Sequence, residues 1–510
     1  MSTTAISSYH MPDNWPCWFD LRRPVFHKGT GSRVIHRLKG VDAYLWYNET
    51  PTNHMHTLKV AVLDTSGPAV PYTAERFIRS LDERLHLLPS FRWRLVETPL
   101  GLHHPVWVED PIFDINRHVY RWTAQVPGGS KEMDEAIGRV ASTPLLHDRP
   151  LWELHLIEGL ANARVAAVAK IHHAMADGGA AANQLLNVAE PFPGEAVPPP
   201  IEPWNPAPLP TRRKLITFAL AAHPAQARSL PRLIRKSWRG RRAANRYWRQ
   251  HRALHARPWT APRTFLNGTI DDRRKFATTS ISLAAAQALR ADTDYTLNDI
   301  VLAVVTETLR RILSDRGELP SGPLVANVPA ATGQRPDRLF GNSVGLMFTG
   351  LPVHLPDRRA RLDFIHRGVL AARKANELAG PELLDEWLEY VPPKPFAWFS
   401  NFYARSKLVT RRPPMMNVVV SNVRGPSTKL AIGGYPIADL FSVGPLDIGM
   451  ALNITVWSYA GTLNFTALSC PRQLPDPHIV TDGLQDAFRQ LHDDVMNVHG
   501  SQIQRTVEGP

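Results

Sequence analysis

The sequence predicts a mixed α/β protein of the α+β kind, made of two domains with mixed, largely antiparallel sheets. Three observations carry that expectation. At 510 residues and 57.1 kDa the chain is longer than one ordinary hydrophobic core serves. Its apolar fraction of 44% and charged fraction of 21% are those of a globular protein. Strand-like runs alternate with amphipathic helical ones in two series, separated by a proline-rich break over 191–210 that forbids sustained helix or sheet pairing. The expected division is a first domain over 1–190, a Pro-rich and basic linker or helical segment over 191–261, and a second domain over 262–510.

Taken in order, residues 11–39 are rich in Pro, Trp and His and show no clear period. Residues 40–46 read as a loop leading into a short helix, and 58–63 as a strand. Residues 73–88 read as a helix, with Phe77, Leu81 and Leu85 at four-residue steps. Residues 89–95 and 105–110 are strand-like, and 131–142 are helical. Residues 151–157 and 164–171 read as strands of a hairpin whose connection is longer than the two-residue minimum. A helix over 180–190 closes the first half. In the second half, helices are expected over 300–314, capped by Thr296 or Asn298, and over 360–378 and 482–495. Strands are expected over 324–328, 344–348, 416–422, 449–459 and 462–469, with a turn at Gly341-Asn342.

The net charge of +13 is concentrated in one place. No Asp or Glu occurs between Pro203 and Ile270, where fifteen Lys and Arg residues lie, so the rest of the chain is close to neutral. The segment 212–257 is mostly helical in pattern, with Leu230, Ile234 and Trp238 at four-residue steps. It fits three uses: nucleic-acid contact, contact with an anionic membrane or lipid-droplet surface, or packing on the protein's own surface. The apolar patch over 215–222 favours lipid over nucleic acid. Two cysteines, Cys17 and Cys470, are too few for a disulfide framework and fit a reducing compartment. The first fifteen residues lack the apolar core of a secretory signal, and no apolar run of about 18 residues occurs. A cytoplasmic protein, peripherally attached to membrane or lipid droplets, is the expectation.

The chemistry gathers at Lys170-Ile171-His172-His173-Ala174-Met175-Ala176-Asp177-Gly178-Gly179, which follows the apolar run 165–169. Successive strand residues face opposite ways, so His172 and His173 do not look into one cavity. His173, nearer the loop, is the candidate general base, and His172 its supporting neighbour. Asp177 would hold the turn by pairing with a cation elsewhere, and Gly178 and Gly179 allow a close backbone approach. Paired histidines that merely fill a strand end are the plain alternative. A metal site is disfavoured, because neighbouring strand positions diverge and no helix-spaced His pair accompanies them. Neither a Gly-x-Ser-x-Gly elbow nor a dinucleotide or Walker glycine pattern occurs, which argues against a serine hydrolase and against hydride or phosphoryl transfer.

His172-His173-Ala174-Met175-Ala176-Asp177-Gly178 resembles the HHxxxDG motif of the bacterial wax ester synthase/acyl-CoA:diacylglycerol acyltransferase family, a pattern that peptide-synthetase condensation domains share. Pro150-Leu151-Trp152-Glu153, Asn298-Asp299, Gly341-Asn342, Asn417 to Val423 and Leu452 to Val456 resemble further motifs of that family, in order over about residues 40–485. The resemblance implies two chloramphenicol acetyltransferase-like, CoA-dependent acyltransferase domains with the active site in the channel between them. It implies transfer of a fatty acyl group from acyl-CoA, a substrate and not a cofactor, to diacylglycerol or a long-chain alcohol. It makes His173 the base and Asp177 and Gly178 structural, with Asn298 and Asp299 lining the site from the second domain. Three stretches depart from the family pattern: 145–147, 422–426, and 328–333, which lacks the usual arginine. The same fold acting on another alcohol, and a non-catalytic lipid-binding relative, are the alternatives.

Overall fold

The computed structural model describes residues 35–67, 71–191, 204–291, 293–332, 337–406 and 408–507. Cys17, most of the proline-rich break and Gly333 lie outside them. The first half supplies β1 (His56–Asp64), β2 (Val119–Thr123), β3 (Trp152–Leu160), β4 (Arg164–His172) and β5 (Glu190–Pro191). The second half supplies β6 (Lys275–Ser282), β7 (Leu324–Asn327), β8 (Phe348–Leu351), β9 (Val418–Val423), β10 (Leu430–Ile432), β11 (Tyr435–Val443), β12 (Leu452–Tyr459) and β13 (Thr462–Ser469). Two large mixed sheets result. A seven-stranded sheet runs β2-β3-β4-β1-β11-β10-β5, and a six-stranded sheet runs β8-β7-β9-β12-β13-β6. The first is antiparallel apart from β2–β3; the second carries two parallel pairs at β7–β9 and β9–β12.

The second half therefore lends β10 and β11 to the sheet of the first, where β11 pairs with β1. Strand β1 is central, with β4 on one side and β11 on the other, and its alternation divides two cores. Leu58, Val60 and Val62 pack against Ile137 and Val140 of α2 (Ser130–Ala141). Ala61 and Leu63 face the other way, into a core with Trp107, Trp152, Tyr435 and Trp457. A third core buries Val301, Val305 and Leu309 of α6 (Leu297–Asp315) against Ile454, Val456 and Phe465 of the second sheet. Helix α6 starts where its cap dictates: Thr296 Oγ1 accepts from the Asp299 amide, and the Asp299 carboxylate reaches back to the Thr296 amide.

Some elements differ from the sequence expectation for local reasons. The helix expected over 73–88 ends at Asp82 and continues as 3₁₀ turns at Leu85–Leu87 and Pro89–Arg92, so the strand expected from 89 begins at Trp93. The strand expected over 344–348 is broken into Val344–Gly345 and β8, with the Met347 carbonyl between them turned to the Val328 amide. The basic segment forms α4 (Arg212–Leu220) and α5 (His223–Gln250). Helix α5 buries Leu233 and packs through Gly240 against α7 (Arg358–Ala379), where a Cβ on Gly240 would fall 2.0 Å from the Ala379 carbonyl oxygen. Ile234 (51% exposed) and Trp238 (63%) consequently face outward.

Candidate active site

Strand β4 delivers its two histidines into different surroundings. His172 is the last residue of the strand, pairs with His56 of β1 and is wholly buried. Its Nδ1 accepts from the Ala174 amide at 3.1 Å, and its Nε2 lies 3.5 Å from a Glu49 carboxylate oxygen. Glu49 also meets His147 Nε2 at 2.9 Å. Burial opposes ionisation of Glu49, but hydrogen bonding and charge from His147 and His172 outweigh it and hold the carboxyl well below the ordinary range. A cleft of about 620 Å³, lined by Trp46, Glu49, His54, His147, Lys394 and Asn401, opens on this side of the strand end.

His173 lies one residue further. Its amide donates to the Met55 carbonyl at 2.7 Å, so the pairing with β1 runs on and the imidazole takes the face of Ile171 and Ala169. The residue is half-buried although it lies deep in the protein. Burial, reinforced by the charge of Lys59, lowers its pKa to about 4, against the opposing charge of Asp177. The imidazole is neutral at pH 7 and free to accept a proton.

The loop after His173 is clamped by the second half of the chain. Asp177 N-caps α3 (Gly178–Val188): one carboxylate oxygen accepts from the Ala180 amide at 2.9 Å. Its other oxygen accepts from Arg338 Nη2 at 2.5 Å and from the Ser343 amide at 2.8 Å. Gly341 bridges Ala176, donating its amide to the Met175 carbonyl at 2.6 Å. Asn342 Nδ2 donates to the His173 carbonyl and to Asp42 of α1 (Gly40–Tyr47), both at 2.7 Å. Burial pushes the Asp42 carboxyl up to about 8, against the two hydrogen bonds from Asn342. Gly178 is needed where it stands, because a Cβ there would lie 2.7 Å from Val423 Cγ2 at the end of β9.

His172, His173, Asp177 and Gly178 thus come together with Gly341 and Asn342. Asn298 and Asp299 lie at the start of α6, in the second half of the chain. Asp299 spends its bonds on Thr296 and on His366 Nδ1, at 2.9 Å, and among the described residues no hydrogen bond ties either one to the His173 loop. Among the described residues no three His, Cys, Asp or Glu side chains are grouped to hold a metal ion. Sequence reasoning missed Arg338, Glu49 and Lys59. Arg338 sits five residues past the stretch where an arginine was looked for. Lys59 carried a readable signal: a lysine inside the apolar strand 58–63, on the same face as Ala61 and Leu63.

Known proteins resemble this chain over most of its length. Residues 38–301 match the wax ester synthase/diacylglycerol acyltransferase catalytic domain, and residues 340–492 match the C-terminal domain of the same family. A Mycobacterium tuberculosis protein provisionally named as a diacylglycerol O-acyltransferase is 38% identical over 459 residues, covering 89% of this chain and 95% of its own. A second from that organism is 29% identical over 463 residues, 90% of this chain and 96% of its own. The solved wax ester synthase/diacylglycerol acyltransferase of Marinobacter aquaeolei superposes with a TM-score of 0.63 at 24% identity, over 90% of this chain and 99% of that one. The first condensation domain of the calcium-dependent antibiotic synthetase gives 0.54 at 16% identity, over 90% and 96%. These two share the fold.

Proposed function

Because the chain belongs to the wax ester synthase/diacylglycerol acyltransferase family, and is on that ground an acyltransferase, we propose that His173 is its base and that it moves a fatty acyl group from acyl-CoA to diacylglycerol, a long-chain alcohol, or both. What supports this reading is the placement of His173: half-buried, with burial lowering its pKa to about 4, and with its carbonyl and the following loop held by Asn342 and Arg338. In the reaction the acceptor hydroxyl gives its proton to His173 as its oxygen bonds to the thioester carbon. The tetrahedral adduct then expels CoA thiolate, which takes the proton back. No enzyme nucleophile is needed, and His172, bonded to the Ala174 amide and set against Glu49, keeps the strand end rigid.

The exposed faces support docking on an anionic membrane or lipid-droplet surface through 212–257. Helix α5 turns Ile234 and Trp238 outward, with the Arg242 guanidinium 5.3 Å over the Trp238 ring. A second acid-free stretch, 390–438, carries seven Lys and Arg residues, and its helix α8 (Pro393–Arg405) exposes a stacked Trp398 and Phe402. No helix among the described residues is long and apolar enough to cross a membrane. The experiment is product analysis with radiolabelled long-chain acyl-CoA and a panel of diacylglycerol, hexadecanol and short or cyclic alcohols. Triacylglycerol or wax ester as the main product bears the proposal out. Esters of another alcohol alone, or no release of CoA thiol with any acceptor, would overturn it.

A further inference from the structure

A lysine stands on the sheet face that His173 shares, without a partner charge. Lys59 belongs to β1 and pairs across the sheet with Ala169 of β4 and Ser442 of β11. Residues directly opposite share a face, and Ala169, Ile171 and His173 alternate onto one face, so Lys59 and His173 look into the same space. Two side-chain rows separate them, roughly 13 Å of strand, and the charge of Lys59 still reaches the His173 imidazole. The ammonium donates to Ser442 Oγ at 2.7 Å and lies 5.4 Å from the Trp457 ring centroid. Ser442 belongs to the first sheet and Trp457 to the second, so the group sits at their seam.

Charged side chains this deep are ordinarily paired. Lys59 is not: among the described residues no carboxylate lies within ion-pair distance of it. The acid whose field it feels is Asp177, which is already engaged by Arg338. Of the other groups facing it, His173 is neutral, and Ser442 and Trp457 carry no charge. By contrast the nearby fully buried Lys170 of β4 has Glu153 at 2.6 Å. Lys59 keeps some exposed surface in spite of its depth, as His173 does. A solitary cation that lines a cavity costs stability, and an arriving anion would offset the cost.

We propose that Lys59 is the site's anion-binding group, donating from its ammonium to the thioester carbonyl oxygen as that oxygen becomes the oxyanion of the tetrahedral adduct. The proposal rests on acyl transfer at His173. As the acceptor oxygen bonds to the carbonyl carbon, its proton goes to His173 and the carbonyl π pair moves to the oxygen facing Lys59. When the C–O double bond re-forms, the C–S bond breaks and the thiolate takes the proton from His173. Lys59 stays protonated throughout. Removing one such donor costs about 10²- to 10³-fold in kcat where it has been measured in other acyl-transfer sites.

Burial lowers the pKa of Lys59 to about 8, so the charge it supplies is present at pH 7 and is lost as the pH rises past about 8. The test is CoA-thiol release from a long-chain acyl-CoA over pH 6 to 10 by the wild type, Lys59→Arg and Lys59→Met. Wild-type kcat is expected to fall above about pH 8. The arginine variant, charged throughout, should lack that limb. Lys59→Met should lower kcat at pH 7 by roughly a hundredfold with KM for acyl-CoA little changed. It should also melt no lower than the wild type, because a solitary buried charge has been removed. A methionine variant within threefold of wild-type kcat, a high-pH limb that persists in the arginine variant, or a methionine variant that loses activity only because it melts lower would overturn the role of Lys59. No thiol release by the wild type would instead overturn acyl transfer itself, and this proposal with it.

Discussion

Replacing Arg338 with Met should loosen the His173 loop without touching a catalytic atom. Asp177 is 3% exposed, and Arg338 Nη2, at 2.5 Å, is the cation on its carboxylate. Without the guanidinium, a buried carboxylate keeps, among the described residues, the Ala180 and Ser343 amides. Removing one partner of a buried pair costs about 3–5 kcal/mol, and because Arg338 is partly exposed the lower end applies. At 1.4 kcal/mol per decade, about 3 kcal/mol raises the local opening equilibrium roughly a hundredfold. Hydrogen exchange followed by mass spectrometry reads this directly on peptides covering 173–180 and 338–345, with α6 peptides as the internal control. Asp177→Asn in the same chain should recover much of the loss, since Asn can still cap α3 and its amide needs no cation. Exchange that changes by less than about threefold in both loop peptides would refute the reasoning.

The acid limb of kcat/KM should lie near pH 4, because protonation of His173 inactivates it and burial lowers its pKa to about 4; a limb near the ordinary imidazole value of 6.5 would contradict this. Gly178→Ala should slow acyl transfer and cost about 1–3 kcal/mol through overlap with Val423, and Val423→Ala should recover both losses if that contact is the cause. Lys170→Met should cost about 3–5 kcal/mol, because it leaves Glu153 buried with only His155 at 2.9 Å; an unchanged thermal melt would show that His155 carries the compensating charge.

Local pattern made much of the fold legible. β13 runs over the 462–469 that its alternation predicts, and α7, β4 and α2 differ from expectation by a residue or two at their ends. β11 went unread because its cues are broken locally and answered only at a distance. Pro436 and Asp439 interrupt its apolar alternation, a register shift falls between Ile437 and Asp439, and its partner β1 lies in the other half of the chain. The site divides the same way. The divergence of His172 and His173 follows from strand geometry, and the cap formed by Asp177 from its place before a helix. Arg338 is 161 residues from the carboxylate it holds, so no local pattern announces it. The bond from Asp299 back to Thr296 follows from their spacing at the start of α6, but the bond from His366, 67 residues on, has no local signal.

The central claim is that His173 takes the acceptor proton. The direct measurement is CoA-thiol release from a long-chain acyl-CoA with diacylglycerol, by the wild type and by His173→Ala, with circular dichroism to confirm that both are folded. The account predicts a folded variant slower by at least about 10²-fold, with binding of acyl-CoA retained. A folded His173→Ala protein that transfers acyl groups at near wild-type rate would contradict it.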